Sequence, residues 1–262
     1  MPVFLCTACG IRYPESPSPP SHCIICEDER QFVPRAGQGW ITPEKLAGDH
    51  FNPFRKIVPG LFGFSTIPRF AIGQRALLVI TPSGNVLWDC VSLLDEATVD
   101  IIGSLGGLKA IAISHPHFYG SMARWGRTFD CPVFVHQADQ QWVVEPDSCI
   151  ELWTGETMNI LPGITLHQLG GHFSGSTVLY WADKRTLLTG DTMLVTWDRQ
   201  HVAFMWSYPN YIPLPDAEVA RIGKRLEALD FDAIHSAFWE LDIEQDARAV
   251  VERSMARLSG RE

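Results

Sequence analysis

The sequence predicts an α/β fold preceded by a small four-cysteine unit. Short apolar runs of strand length alternate with longer segments whose apolar residues recur at helical spacing. The 262 residues are 46% hydrophobic and only 19% charged, which supplies one large core. Cys6-x2-Cys9 and Cys23-x2-Cys26 set residues 1–35 apart from residues 36–262.

The cysteine unit comes first. Between its knuckles, Pro14-Glu15-Ser16-Pro17-Ser18-Pro19-Pro20 excludes a helix or a central strand. Each knuckle is a tight turn that directs two thiolates to one point, and four thiolates complete a tetrahedral Zn2+ site. So short a segment cannot bury enough apolar area to fold alone, so the ion would supply the missing stability as a structural zinc ribbon. A rubredoxin-like iron site is the alternative: Cys9-Gly10 matches its knuckle and Cys26-Glu27 departs from it. Cys90, Cys131 and Cys149 stand alone among apolar neighbours and read as small core residues.

Residues 36–60, rich in Gly and Pro, read as a surface connection. Phe70 to Ile80 and Val86 to Cys90 are apolar runs joined by Thr81-Pro82-Ser83-Gly84-Asn85, so a hairpin is expected. Ala97, Ile101, Ile102 and Leu105 predict a helix over 95–105. Strands are expected at 108–113, 132–136, 163–168, 177–182 and 186–189. Amphipathic helices at 216–229 and 243–258 flank a further strand at 231–236.

The net charge of −9, with no cluster of Lys and Arg, disfavours nucleic acid as a partner. No apolar run approaches the eighteen or so residues of a membrane span, so no membrane partner is expected. Met1-Pro2-Val3-Phe4-Leu5-Cys6 has neither the basic nor the long apolar segment of a signal peptide, and a cytoplasmic location is the expectation. A small-molecule substrate and a homo-oligomer both fit this composition.

The chemistry concentrates in three glycine-flanked segments. His115 and His117 close the apolar run Leu108 to Ile113, where an extended loop would put alternate side chains on one side. His172 lies in Gly170-Gly171-His172-Phe173-Ser174-Gly175-Ser176, and Asp191 in Leu188-Thr189-Gly190-Asp191-Thr192. Neutral imidazoles and a carboxylate suit Zn2+, which takes nitrogen and oxygen ligands tetrahedrally and in catalytic sites keeps one position for water.

In their order, these segments resemble the metallo-β-lactamase-fold hydrolases over roughly residues 60–240. The resemblance implies an αββα sandwich. It also implies one ion held by His115, His117 and His172, with Asp191 reaching toward a second. The family's first motif is His-x-His-x-Asp-His, whereas here Tyr119 stands for the Asp and Gly120 for the last His. The family's final His falls in the register of Phe238 or Trp239, with His235 too early on its strand. Trp88-Asp89-Cys90 matches the family's apolar-Asp-Thr-Gly turn only in part. The second ion's site thus looks dismantled, and the expected centre holds one Zn2+ (or Fe).

The expected activity is metal-assisted hydrolysis of a small ester, thioester or lactone, with Asp191 as ligand or proton acceptor. Tyr119 would either donate a hydrogen bond to an oxyanion or fill the volume of the lost ion. The aromatic stretch Trp197 to Tyr211 favours a small, partly apolar substrate, with His201 a candidate pocket residue. The competing class is a non-catalytic metal-binding or interaction protein on the same fold. A redox protein with iron at both sites would need the ligands missing here. His22, His50, His136 and His167 read as structural or exposed.

Overall fold

The computed structural model describes residues 1–258 and Gly260. Two sheets lie face to face with helices on both outer sides, the αββα sandwich that the resemblance implied. The first sheet holds seven strands in sequence order: β1 (Phe54–Val58), β2 (Leu61–Ser65), β3 (Arg75–Thr81), β4 (Gly84–Trp88), β5 (Ala110–Ala112), β6 (Val133–His136) and β7 (Ile150–Trp153). Its first four strands pair antiparallel, and β4 to β7 run parallel. The second sheet holds β8 (Thr157–Leu161), β9 (Ile164–Gln168), β10 (Thr177–Trp181), β11 (Thr186–Leu188), β12 (Ala233–His235) and β13 (Asp242–Ile243). Only its β11–β12 pair is parallel.

The strand period of two decides which residues meet. In β3, Leu77 and Val79 face the second sheet, while Ala76 and Leu78 face outward under the helices. Leu166 of β9, and Leu179 and Trp181 of β10, answer from the other side of the inter-sheet core. Because β3 is buried on both faces, its sequence reads as one continuous apolar run.

Five helices cover the sandwich: α1 (Pro43–Asp49), α2 (Glu96–Ser104), α3 (Met122–Phe129), α4 (Asp216–Leu226) and α5 (Ala247–Leu258). The Asp95 side chain caps α2 by accepting the Thr98 N–H at 2.8 Å. Ile102 of α2 and Trp125 of α3 pack on the first sheet, while Val219 and Ile222 of α4 pack with Val250 and Val251 of α5 on the second. Among the described residues no helix is long and apolar enough to cross a membrane.

Some expectations need correction. Residues 36–60 are more than a surface connection, since they contain α1 with its buried Leu46 and the edge strand β1. Thr42-Pro43-Glu44 is a helix start, with Thr42 as cap and Pro43 in the first turn, that the Gly and Pro content obscured. The strand before the hairpin begins at Arg75 rather than Phe70, and α5 begins at Ala247 because Asp242–Ile243 pairs with β12.

The four-cysteine unit docks on the outer side of the first sheet. Cys6, Cys9, Ile11, Cys23, Ile25 and Cys26 share one apolar cluster with Leu87, Cys90 and Val91. Leu5–Cys6 pairs antiparallel with Trp40–Ile41, Ser92 Oγ donates to the Gly10 carbonyl at 2.6 Å, and Arg12 N donates to the Gly120 carbonyl at 3.0 Å. Arg12 also pairs with Glu145. Cys90 and Cys131 are buried and Cys149 half-buried, as core cysteines.

Candidate metal centres

The four cysteines converge. Their sulfurs lie within 4.8 Å of one another, with Cys6–Cys26 and Cys9–Cys23 each at 3.5 Å. A tetrahedral ion with Zn–S bonds of about 2.3 Å sets its sulfurs about 3.8 Å apart, so the cage fits that geometry. The knuckle turns its backbone toward the sulfur: Ala8 and Cys9 N–H each donate to Cys6 Sγ at 3.4 Å, and Gln38 Nε2 adds a donor at 2.8 Å. Such donors favour thiolates over thiols.

The second group is His115, His117, His172 and Asp191, whose ligand atoms also lie within 4.8 Å of one another. It sits at the carboxyl end of β5, where parallel strands open a crevice. His115 is extended and Pro116–Phe118 forms a 3-10 turn, so the turn, rather than strand alternation, brings His115 and His117 together at 5.1 Å between ring centroids. His172 arrives on the β9–β10 loop, whose Gly170 and Gly171 take positive φ. Asp191 follows β11 through Gly190. That glycine has φ +52, and a Cβ there would lie 2.5 Å from Ser114 Oγ. The His172 loop is tied to the His115 loop by Thr177 N donating to the Ser114 carbonyl at 2.9 Å.

Hydrogen bonds fix which nitrogens face the cluster. His172 Nδ1 donates to the Met205 carbonyl at 3.1 Å, which leaves Nε2 of the neutral ring as a bare lone pair, 3.2 Å from His117 Nδ1. His115 Nδ1 lies 2.8 Å from Ser114 Oγ, and its Nε2 is 3.5 Å from Asp191 Oδ2. His115 Nε2, His117 Nε2 and Asp191 Oδ1 are buried with no hydrogen-bond partner. Burial holds His117 well below the ordinary histidine value and brings His172 down to about 3, so both rings are neutral, the metal-binding form. Buried, unpaired lone pairs on neutral imidazoles and a carboxylate are a donor set that fits a divalent ion. Beneath them Asp89, pushed up to about 7 by burial, accepts the Ser114 N–H at 2.7 Å.

The other singled-out residues lie elsewhere. Tyr119 is buried in the core, and its hydroxyl donates to the Asp139 carbonyl at 3.3 Å; it is not in the histidine group. Gly120 has φ +44 with Val91 backbone 3.4 Å from where a Cβ would be, and its carbonyl is taken by Arg12 of the cysteine unit. In the register of the family's final His, Phe238 packs against the apolar cluster on the outer side of the first sheet, and Trp239 Nε1 donates to Ser65 Oγ at 2.8 Å. His235 is buried against Asp242 at 2.9 Å. His201, part-exposed, pairs with Asp198 at 3.3 Å. His22 is exposed beside Glu27, His50 contacts the Leu46 carbonyl, His136 contacts the Gly155 carbonyl, and His167 is half-buried near Tyr180. Ser114, Met205 and Arg30 at this centre were not foreseeable from residue type: two of them act through backbone or hydroxyl groups, and Arg30 comes from the four-cysteine unit.

No family model matches the chain. It is 43% identical over 263 residues to the uncharacterized protein YmaE of Bacillus subtilis (strain 168), covering 98% of this chain and 96% of YmaE. Over 122 residues it is 29% identical to YybB of the same organism, described as a probable metallo-hydrolase, covering 40% of this chain and 55% of YybB. Among solved structures, the DIM-1 metallo-β-lactamase aligns with a TM-score of 0.61 at 12% identity, covering 80% of this chain and 98% of that one. The VMB-1 structure aligns at 0.60 with 13% identity over the same shares. TTHA1623, solved in a di-iron-bound form, aligns at 0.50 with 21% identity, covering 66% of this chain and 90% of that one. Sharing nearly its whole length with YmaE, the chain belongs to one family with that protein, and its αββα sandwich is the fold of these metallo-β-lactamase structures.

Proposed function

We propose that this chain is a metal-dependent hydrolase with one Zn2+ at His115, His117, His172 and Asp191, cleaving an ester, thioester or lactone bond of a small molecule. The observation that supports it most is the buried donor set, in which His115 Nε2 and Asp191 Oδ1 have no hydrogen-bond partner. An ion there would bring the pKa of its bound water down to about 7 and polarise the scissile carbonyl. The chain's own part is to hold His172 in the tautomer that leaves Nε2 free and to offer Asp191 Oδ1 as ligand or proton acceptor. Phe118 and Phe173, with rings 4.3 and 5.7 Å from His115, exclude bulk water. Tyr119, Gly120, Phe238 and Trp239 support a mononuclear centre, because none of them offers the imidazole or carboxylate of a further ligand.

A cavity of ≈ 600 Å³ beside the His172 loop, lined by Gly171, Trp206, Ile212, Leu214 and Arg221, favours a small, partly apolar substrate. The second reading is a non-catalytic metal protein, and the near closure of the site favours it, with the four residues at most 5% exposed. Elemental analysis of the full chain followed by a screen of aryl esters, acyl thioesters and lactones separates the two. Two ions per chain with turnover, and one ion without turnover in His115→Ala, supports the hydrolase. Two ions with no turnover on any class favours the binding protein, and one ion in the wild-type chain removes the histidine centre from both readings. The cysteine site is read as structural Zn2+, and a coloured protein would instead indicate iron.

A further inference from the structure

We propose that Arg30 is a positioning residue of the histidine centre: carried by the four-cysteine unit, it clamps the His172 loop closed, so that the state of one metal site sets access to the other. The inference rests on reading both groups as metal sites.

The path from cysteine to histidine is short and continuous. After the second knuckle, where Glu27 N donates to the Cys23 carbonyl at 3.0 Å, the chain turns at Asp28. Asp28 accepts the Arg30 N–H at 3.0 Å and takes both Nε and Nη2 of the guanidinium, a fork that fixes its plane. That plane lies 3.8 Å above the ring centre of Phe173, the residue after His172, with Trp206 at 4.5 Å and Trp142 at 5.3 Å. Arg30 Nη1 donates to the His172 carbonyl at 3.3 Å. His172 is thus gripped at both ends: its carbonyl by Arg30, its ring by Met205.

Neighbours of Arg30 extend the strap. Trp206 Nε1 donates to Glu29 Oε1 at 2.9 Å, and Asn210 Nδ2 lies 3.0 and 3.1 Å from the carbonyls of Glu29 and Gln31. Residues 28–31 therefore bridge the His172 loop and the 205–210 segment. Arg30 itself is only 9% exposed. A lysine could supply the charge but neither the fork nor the flat stacking surface. Because a short four-cysteine unit folds on its ion, the strap is as firm as that ion's hold.

The test loads the full chain with Co2+, whose thiolate absorption reports the cysteine site, and follows backbone hydrogen exchange and cobalt loss to a chelator. In Arg30→Gln, exchange over 170–176 and 205–210 should accelerate about tenfold, and the histidine centre should lose cobalt about tenfold faster, with the thiolate absorption unchanged. Arg30→Lys should fall between. Exchange and cobalt loss at the wild-type rate, with the thiolate absorption intact, overturns the clamp. If Arg30→Gln loses that absorption, Arg30→Lys decides by the same comparison. Wild-type chain that takes cobalt only at its cysteines sinks the hydrolase reading, while the exchange rates still judge the clamp.

Discussion

Ser114 Oγ lies 2.8 Å from Nδ1 of His115, in a buried corner that stays open only because residue 190 is glycine. The contact orients the imidazole and leaves its Nε2 toward Asp191. Partners of this kind are worth about 10–100-fold in metal affinity. Ser114→Ala should weaken the histidine centre's ion by that factor and leave the cysteine ion in place, as read by competition with a chelator of known affinity. Unchanged affinity would mean that packing against Phe118 alone orients the ring.

Tyr119→Phe is expected to leave metal content unaltered and hydrolysis within about twofold of wild type. Its hydroxyl is spent on the Asp139 carbonyl, and losing that bond should cost stability about 1 kcal/mol. An oxyanion donor would instead cost on the order of a hundredfold in turnover when removed. Rates and thermal denaturation of one variant therefore distinguish the two roles.

What the sequence made legible was local. The helix over 95–105 announced itself through the apolar spacing of Ala97, Ile101, Ile102 and Leu105, and four ligand candidates through glycine-flanked loops that the fold brings within 4.8 Å. The edge strand β1 was hidden because its alternation is weak, with Arg55 and Lys56 exposed in mid-strand. The meeting of Arg30 with His172 spans 142 positions and passes through a backbone carbonyl, so no residue type at 172 could advertise it. Tyr119 and Gly120 were legible as departures from the family motif. That the cysteine unit packs beside them, with Arg12 bonded to Gly120, depends on a docking geometry that spacing does not encode.

The Arg75–Asp242–His235 cluster should dominate acid sensitivity in the second sheet. Arg75 is fully buried and pairs with Asp242, which also meets His235 at 2.9 Å. Burial pushes the Asp242 carboxyl up, but the bonds from His235 and Arg75 outweigh it and hold the carboxyl below its ordinary value. A carboxyl lowered in the folded state stabilises above its unfolded pKa of about 3.9, and that contribution is lost as pH falls through the folded value. Asp242→Asn should therefore cost about 3 kcal/mol at pH 7, where it leaves a buried guanidinium uncompensated. The gap to wild type should begin to narrow below about pH 4 and go on narrowing as pH falls through the folded value. Denaturant melts at pH 7 and pH 3.5 check both the size and the sign, and a gap that widens in acid would refute this account.

Cys26→Ser tests whether the cysteine unit is an appendage or part of the core. Isolated four-ligand units owe on the order of 10 kcal/mol to their ion, so a serine that cannot serve as thiolate should release it. The consequence depends on what the unit covers. Ile11 and Ile25 are buried in the cluster that contains Leu87 and Val91, and Ser92 and Gly120 are hydrogen-bonded across the same seam. Loosening the unit would wet the outer face of the first sheet, so the loss should spread to the whole chain. Calorimetry of Cys26→Ser should then give one transition, several degrees lower, with one ion fewer per chain. Two transitions, with the upper one at the wild-type temperature, would mean that the sandwich stands without its cysteine unit.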